Sequence, residues 1–192
     1  VSMTACGGDT ASDNTSASAD NSAATTESAA AGSTDGQKYT IGILQQLEHP
    51  ALDAASQGFE DALTELLGAD NVTFDLQNAQ GEQANCSSIA TTFVSNNYDL
   101  ILANATTALQ ASAAATSTIP VLGTSVTDYA TALDIDDWTG ATGKNISGTS
   151  DLAPLDQQAA MVKELFPDAK TVGILYCSGE ANSVYQANVV KE

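Results

Sequence analysis

Polar side chains of several chemical types recur along this chain, each group placed just after a short apolar run. The first holds Gln45, Gln46, Glu48 and His49. Later groups are Asn104, Ala105, Thr106 and Thr107, then Ser125, Thr127 and Asp128, and last Ser178, Gly179, Glu180, Asn182 and Ser183, while Asp151 stands apart from these runs ahead of Pro154. Several of these residues lie at or near expected helix starts, where unpaired backbone N–H groups and the helix dipole favour a carboxylate or another anion. Glu48, Asp128 and Asp151 are of the opposite kind and suit an ammonium group, so the set as a whole suits a zwitterion. The same residue types are ordinary helix N-caps, and Asp151 before Pro154 and Ser178 before the last helix have that role open to them. His49 is the only histidine, and beside Pro50 it has both a structural and a binding role open to it. Asp134, Asp136 and Asp137 form an acidic cluster, but D-I-D-D lacks the later glycine and glutamate of a calcium loop, so a solvated loop is expected there and no metal or cofactor.

The elements that must position these groups follow from the apolar pattern. Residues 39–44 (YTIGIL), 71–76 (NVTFDL), 98–102 (YDLIL) and 119–122 read as strands. Between them, Pro50 starts a helix with Leu52, Ala55, Phe59, Ala62, Leu63 and Leu66 on one face, and Gly68 ends it. A second helix follows Gly81, with Cys86, Ile89, Ala90 and Phe93 at helical spacing, and an Ala-rich helix is expected over 106–116. Strand and helix alternate, and consecutive parallel strands require a crossover, so the expected fold is α/β: a doubly wound parallel sheet covered on both faces. Residues 125–150 read as loop. Pro154 then starts a helix with Leu155, Ala159, Val162 and Phe166 on its apolar stripe, and 171–176 (TVGILY) reads as a strand much like the first. This is expected to be the start of a second, similar unit, broken off partway. The organisation read from the chain is a tail at 1–37, a first lobe at 38–124, a hinge and loop region at 125–153, and the start of a second lobe at 154–192.

Composition narrows the function. The 192-residue chain carries 5 Lys and Arg against 24 Asp and Glu, a net charge of −19, which repels nucleic-acid phosphates and anionic lipid. No apolar run approaches the roughly 20 residues that a membrane helix needs. Residues 9–36 are nearly all Ala, Ser, Thr, Asp, Asn and Gly, too polar to bury a core, and a disordered tether is expected there. Met3-Thr4-Ala5-Cys6 ahead of that stretch resembles the lipobox of bacterial lipoproteins, which implies lipidation at Cys6 and attachment to the cell membrane from outside the cytoplasm, with the start of the chain trimmed. Cys86 and Cys177 lack paired or metal-type spacing and are expected to be small buried apolar residues, a disulfide between them remaining open.

Taken together, Gln45-Gln46-Leu47-Glu48-His49-Pro50-Ala51-Leu52-Asp53, Asn78-Ala79-Gln80-Gly81, Ala105-Thr106-Thr107-Ala108, Val126-Thr127-Asp128, Thr149-Ser150-Asp151 and Ser178-Gly179-Glu180-Ala181-Asn182-Ser183 resemble one family. It is the substrate-binding lipoprotein family of ABC importers that includes the tryptophan- and tyrosine-type binding proteins. The resemblance implies a type I periplasmic-binding-protein fold, two α/β lobes closing over a small solute, commonly an aromatic amino acid, for delivery to a membrane permease. Carried over by position, it implies ligand contacts from Gln45, Glu48, His49, Thr106, Ser125, Thr127, Asp128 and Asp151 on the first lobe or hinge side and from Glu180, Asn182 and Ser183 on the second. Thr106 with neighbouring amides would meet a carboxylate, and Asp151 an amine. The chain departs from the pattern at Thr107 and Tyr129, where proline is usual, and at Cys177, where asparagine is common. Catalysis is not expected: there is no Gly-rich phosphate loop, nucleophile elbow or H-x-x-x-H pair. A ligand-sensing domain of the same fold is the alternative reading.

Overall fold

The apolar runs at residues 39–45 and 100–104 lie side by side at the centre of one sheet, because strands this rich in Ile and Leu must be buried on both faces. The computed structural model describes residues 36–192, so the tail and Cys6 lie outside the described residues. In chain order the elements are β1 (Tyr39–Gln45), α1 (Pro50–Leu67), β2 (Val72–Asn78), α2 (Gln83–Ser95), β3 (Leu100–Asn104), α3 (Thr106–Ala115), β4 (Val121–Val126), α4 (Tyr129–Leu133), β5 (Ile146–Ser150), α5 (Leu155–Leu165) and α6 (Ala181–Lys191). The sheet has five strands in the order β2-β1-β3-β4-β5, and every pairing is parallel. The chain therefore winds outward from β1 in one direction to β2 and in the other to β3, β4 and β5. Right-handed crossovers in opposite directions put α1 and the α2–α3 pair on opposite faces.

The core follows the helical spacing of α2 and α3. Cys86, Ala90 and Phe93 from α2 and Ala108, Leu109 and Ala111 from α3 are buried with Leu44, Ile101, Ala103, Val121 and Val126 of the sheet. Phe93 lies over Gly42, whose missing side chain makes room for the ring, and stacks on Tyr98 with centroids 5.0 Å apart. The expected face of α1 is only partly covered: Leu52, Ala55, Phe59 and Leu63 are half-buried, Ala62 and Leu66 exposed.

Three expectations are corrected. Residues 125–150 are not simply loop, since they contain α4 and the fifth strand. Only Ile146 of β5 is buried, so no apolar alternation announces this strand; its pairing with β4 creates it. Residues 171–176 form no strand and are exposed, with Ile174 at 38% and Leu175 fully open. A β-forming sequence needs a neighbouring strand to hydrogen-bond, and none stands beside it among the described residues. Cys177, expected to be buried, is exposed, and both it and the buried Cys86 are free thiols.

Tyr129 fastens β4 to β5. Gly123 and Gly148 are register partners, and the Tyr129 hydroxyl lies against both, so that a Cβ at either glycine would collide with it. Its Oη donates to the Thr149 carbonyl at 3.2 Å. At Gly148 the backbone is also left-handed, with φ +156°, and a Cβ there would run into the backbone of Gly123. Gly148→Ala should therefore lower the unfolding free energy by about 2–3 kcal/mol, the upper part of the overpacking range, read as a lower urea midpoint at unchanged slope. Gly58→Ala in α1, where a Cβ meets nothing within 4 Å, should leave stability unchanged or raise it by about 0.5–1 kcal/mol. The Tyr129 phenol is pushed up from 10.0 to about 12, first by burial and second by the charge of Asp151. The folded state then keeps a proton that the unfolded chain releases near pH 10. This contribution is intact below pH 10 and lost as pH rises toward 12. Tyr129→Phe should remove that part of the alkaline loss, leaving the part due to Tyr98, whose phenol is raised chiefly by its hydrogen bond to Asp75.

Candidate functional site

Opposite winding on either side of β1 and β3 separates the loops that leave their carboxyl ends, and the gap between those loops is the crevice of an open parallel sheet. Gln45 ends β1 and the β1–α1 turn carries Gln46, Glu48 and His49; Ala105 links β3 to Thr106 at the start of α3; Ser125 lies near the end of β4, Thr127 and Asp128 follow it, and Asp151 follows β5. The structure thus aligns these residues picked from the sequence along one edge of the sheet. They do not all face the same way.

Beneath the crevice lies a buried polar network. Gln45 is only 3% exposed; its Nε2 donates to Asp53 Oδ1 at 2.6 Å and to the Leu47 carbonyl at 3.0 Å, and its Oε1 accepts from Ser56 Oγ at 2.8 Å. Asn104 Nδ2 donates to Ser56 Oγ at 3.0 Å and to the Leu52 carbonyl at 2.8 Å. These bonds fix the start of α1 to the ends of β1 and β3, and they spend the side chain of Gln45 on structure. Asn104 was picked from the sequence as a polar residue closing the apolar run Leu100–Asn104; Ser56 was not singled out by sequence reasoning.

His49 is the N-cap of α1: its Nδ1 accepts from the Ala51 amide at 3.1 Å, and the ring is exposed. Asp128 caps α4 by accepting from the Thr131 amide at 2.7 Å. Glu48 is exposed and, with Gln57 and Glu60, lines an open cleft on the α1 side. The helix N-caps at the later positions are Pro154 and Glu180, so neither Asp151 nor Ser178 takes the capping role open to it.

The start of α3 differs from that of α1 and α4. Its N-cap is Ala105, which supplies no side-chain cap, so the first amides of a ten-residue helix point from the sheet edge without a side-chain acceptor. Thr106 is 3% exposed and its Oγ1 has no hydrogen-bond partner. Asn104 Oδ1 close by is in the same position. An unpartnered buried hydroxyl costs about 1–3 kcal/mol. The backbone is strained there too: Ala105 has φ 93° and ψ 163°, a region that otherwise belongs almost entirely to glycine, and Ser125 at the end of β4 has φ 56°. Such backbone conformations at two adjacent strand ends cost about 1–3 kcal/mol each and persist only where the surrounding fold over-determines them. Uncapped helix amides beside an unpartnered hydroxyl are hydrogen-bond donors of the kind that suit an anionic group.

α6 closes over the same edge. Gln46 Nε2, on a residue 6% exposed, donates to Glu180 Oε1 at 2.9 Å. Ser183 Oγ donates to Glu180 Oε2 at 3.3 Å, and Gln186 Nε2 reaches Thr127 Oγ1 at 3.5 Å. Glu180, Asn182 and Ser183 are half-buried. Gln186 carries a contact that the sequence did not single out. No group of three or more metal-ligating side chains occurs among the described residues, and no described helix is long and apolar enough to cross a membrane.

Comparison with known proteins agrees with this geometry. Residues 40–192 match the family described as ABC transporter substrate binding protein. A tyrosine-binding protein of Clostridioides difficile (strain R20291) is 42% identical over 158 residues, covering 81% of this chain and 46% of that protein. A Streptococcus pneumoniae ABC domain solved in complex with L-Trp superposes with a TM-score of 0.75 at 36% identity, over 81% of this chain and 52% of that one. A conserved domain protein of Vibrio cholerae gives the same TM-score of 0.75 at 38% identity, over 81% and 53%. The chain spans about half the length of these relatives. With the family model matched over most of its length, and with a doubly wound parallel sheet of the same fold, this chain belongs to the ABC transporter substrate-binding proteins.

Proposed function

We propose that this chain captures a free amino acid, aromatic by preference, outside the cytoplasm and delivers it to the membrane permease of an ABC importer. The observation that carries this reading is the start of α3, where uncapped amides and the buried, unpartnered Thr106 hydroxyl offer donors to a carboxylate. The carboxylates available to an ammonium group are Asp128, Asp151 and Glu180. Ser125, Thr127, Asn182 and Ser183 complete the polar rim, with Gln45, Glu48 and His49 shaping the β1–α1 turn beneath and beside it. The aromatic preference is supported by the relatives, one named for tyrosine and one solved with L-Trp.

In this reading residues 38–124 form the first lobe, 125–153 carry the hinge side, and 154–192 belong to the second. Binding shifts the population toward a closed form that the permease recognises, so the protein works by differential affinity rather than by catalysis. Cys6 within Met3-Thr4-Ala5-Cys6 is the lipidation site, and the polar stretch after it is the tether.

A thermal-shift screen of the full-length protein against the amino acids tests the reading. One aromatic amino acid should raise the melting temperature in a concentration-dependent way, as linkage requires, and a shift with no amino acid would refute it. Thr106→Val, which keeps shape and removes the hydroxyl, should weaken binding of that amino acid about ten- to a hundred-fold by titration calorimetry, the value of a hydrogen bond to a charged group. Unchanged affinity would remove Thr106 from the site.

A further inference from the structure

The loop between α4 and β5 walls a second cleft, and β5 lies two strands away from β3 in the sheet order. Trp138 and Lys144 of that loop line it together with Ser147, Gly148 and Ser150 of β5. Because β5 is the outermost strand, the backbone groups on its far side have no strand partner. The cleft encloses about 410 Å³, within the range of about 300–1,000 Å³ typical of small-molecule sites. Trp138 is the only tryptophan of the chain and is 42% exposed. Lys144 is the only Lys or Arg between Tyr39 and Val162.

The wall is fastened in place. Thr142 Oγ1 donates to the Ile146 carbonyl at 2.6 Å and accepts from the Lys144 amide at 3.3 Å. Asn145 Nδ2 donates to the Ile119 carbonyl at 2.5 Å, and the Asn145 carbonyl accepts from the Val121 amide at 2.9 Å, which ties the loop to the start of β4. These bonds use the backbone of Lys144 and leave its ammonium group to the cleft. Charge then narrows what the cleft can take. An anion would gain Lys144 but would face Asp134, Asp136 and Asp137 of the same loop, in a chain of net charge −19. A cation would meet the Lys144 ammonium. A neutral ligand avoids both penalties, and it must satisfy two kinds of surface. The indole favours apolar contact, whereas the ammonium, hydroxyl and edge-strand groups cost free energy when covered without a hydrogen bond. A pyranose ring suits both, because its C–H face packs flat on an aromatic ring while its rim of hydroxyls donates and accepts.

We propose that this cleft is a second binding site, for a neutral saccharide, in which Trp138 stacks on the sugar ring and Lys144 and Ser147 bond its hydroxyls. The inference does not rest on the amino-acid reading above. Titration calorimetry on the full-length protein tests it with chitotriose, cellotriose and maltotriose, and with adenosine and uridine as neutral stacking controls. One of the sugars should bind. Trp138→Ala should weaken that binding about tenfold or more, from the lost stacking and buried ring area, and Trp138→Phe, which keeps an aromatic plane, should retain most of it. Lys144→Ala should weaken it by a smaller factor. None of these changes should alter affinity for the amino acid held in the crevice. Binding of none of the sugars would overturn the proposal, as would sugar affinity unchanged in Trp138→Ala or binding of a nucleoside alone. Loss of sugar affinity in Thr106→Val would place the sugar in the crevice and overturn it as well.

Discussion

The reversal of strand order at β1 and β3 is the constraint on which the rest of the molecule depends. Parallel strands can be joined only by crossovers, and crossovers of one hand put the β1-to-β2 connection on one face of the sheet and the β2-to-β3 and β3-to-β4 connections on the other. The β1–α1 and β3–α3 turns are thereby driven apart at the carboxyl edge while their strands remain hydrogen-bonded neighbours, Gln45 opposite Asn104. A crevice at that point is a consequence of topology, and any polar group placed on either turn lines it.

Holding the crevice open requires rigid walls, and the buried Gln45–Ser56–Asn104 network supplies one of them. Its members are 0–3% exposed, where a hydrogen bond is stronger than in water and a missing one is costly. The network consumes polar groups on the α1 side. On the α3 side the opposite holds: no side chain caps the helix, the Thr106 hydroxyl is unpartnered, and Ala105 sits in a backbone region that its Cβ disfavours. One turn is satisfied and the other is left with donors to spare. That asymmetry gives the proposed site a direction, with the anionic end of a solute toward the uncapped amides of α3.

Much of this was legible in the sequence, for reasons that can be located. The central strands β1 and β3 carry their own evidence, because a buried parallel strand must be apolar along its length, as Ile41–Leu44 and Leu100–Ala103 are. Pro50 and Gly68 mark the ends of α1 by their backbone geometry alone. The misses share one cause, dependence on a partner distant in the chain. β5 (ISGTS) has a single buried residue and exists through its register with β4, where Gly123 and Gly148 make room for Tyr129. Residues 171–176 have strand composition and no strand beside them. His49 serves as a cap although histidine is an unusual one, and the Gln46–Glu180 bond spans 134 residues, beyond the reach of any local pattern. The candidate site was read as a set of positions at strand ends; which side chains are spent on structure and which remain for a ligand is decided by the tertiary hydrogen bonds.

The central claim is that the carboxyl edge at β1 and β3 receives the charged end of an amino acid. A crystal structure of the full-length protein with L-tyrosine or L-tryptophan bound would test it most directly. The account predicts the solute carboxylate within hydrogen-bonding distance of Thr106 Oγ1 and the first amides of α3. Density for the solute elsewhere, for instance in the open cleft of about 410 Å³ beside Trp138 and Lys144, would contradict it.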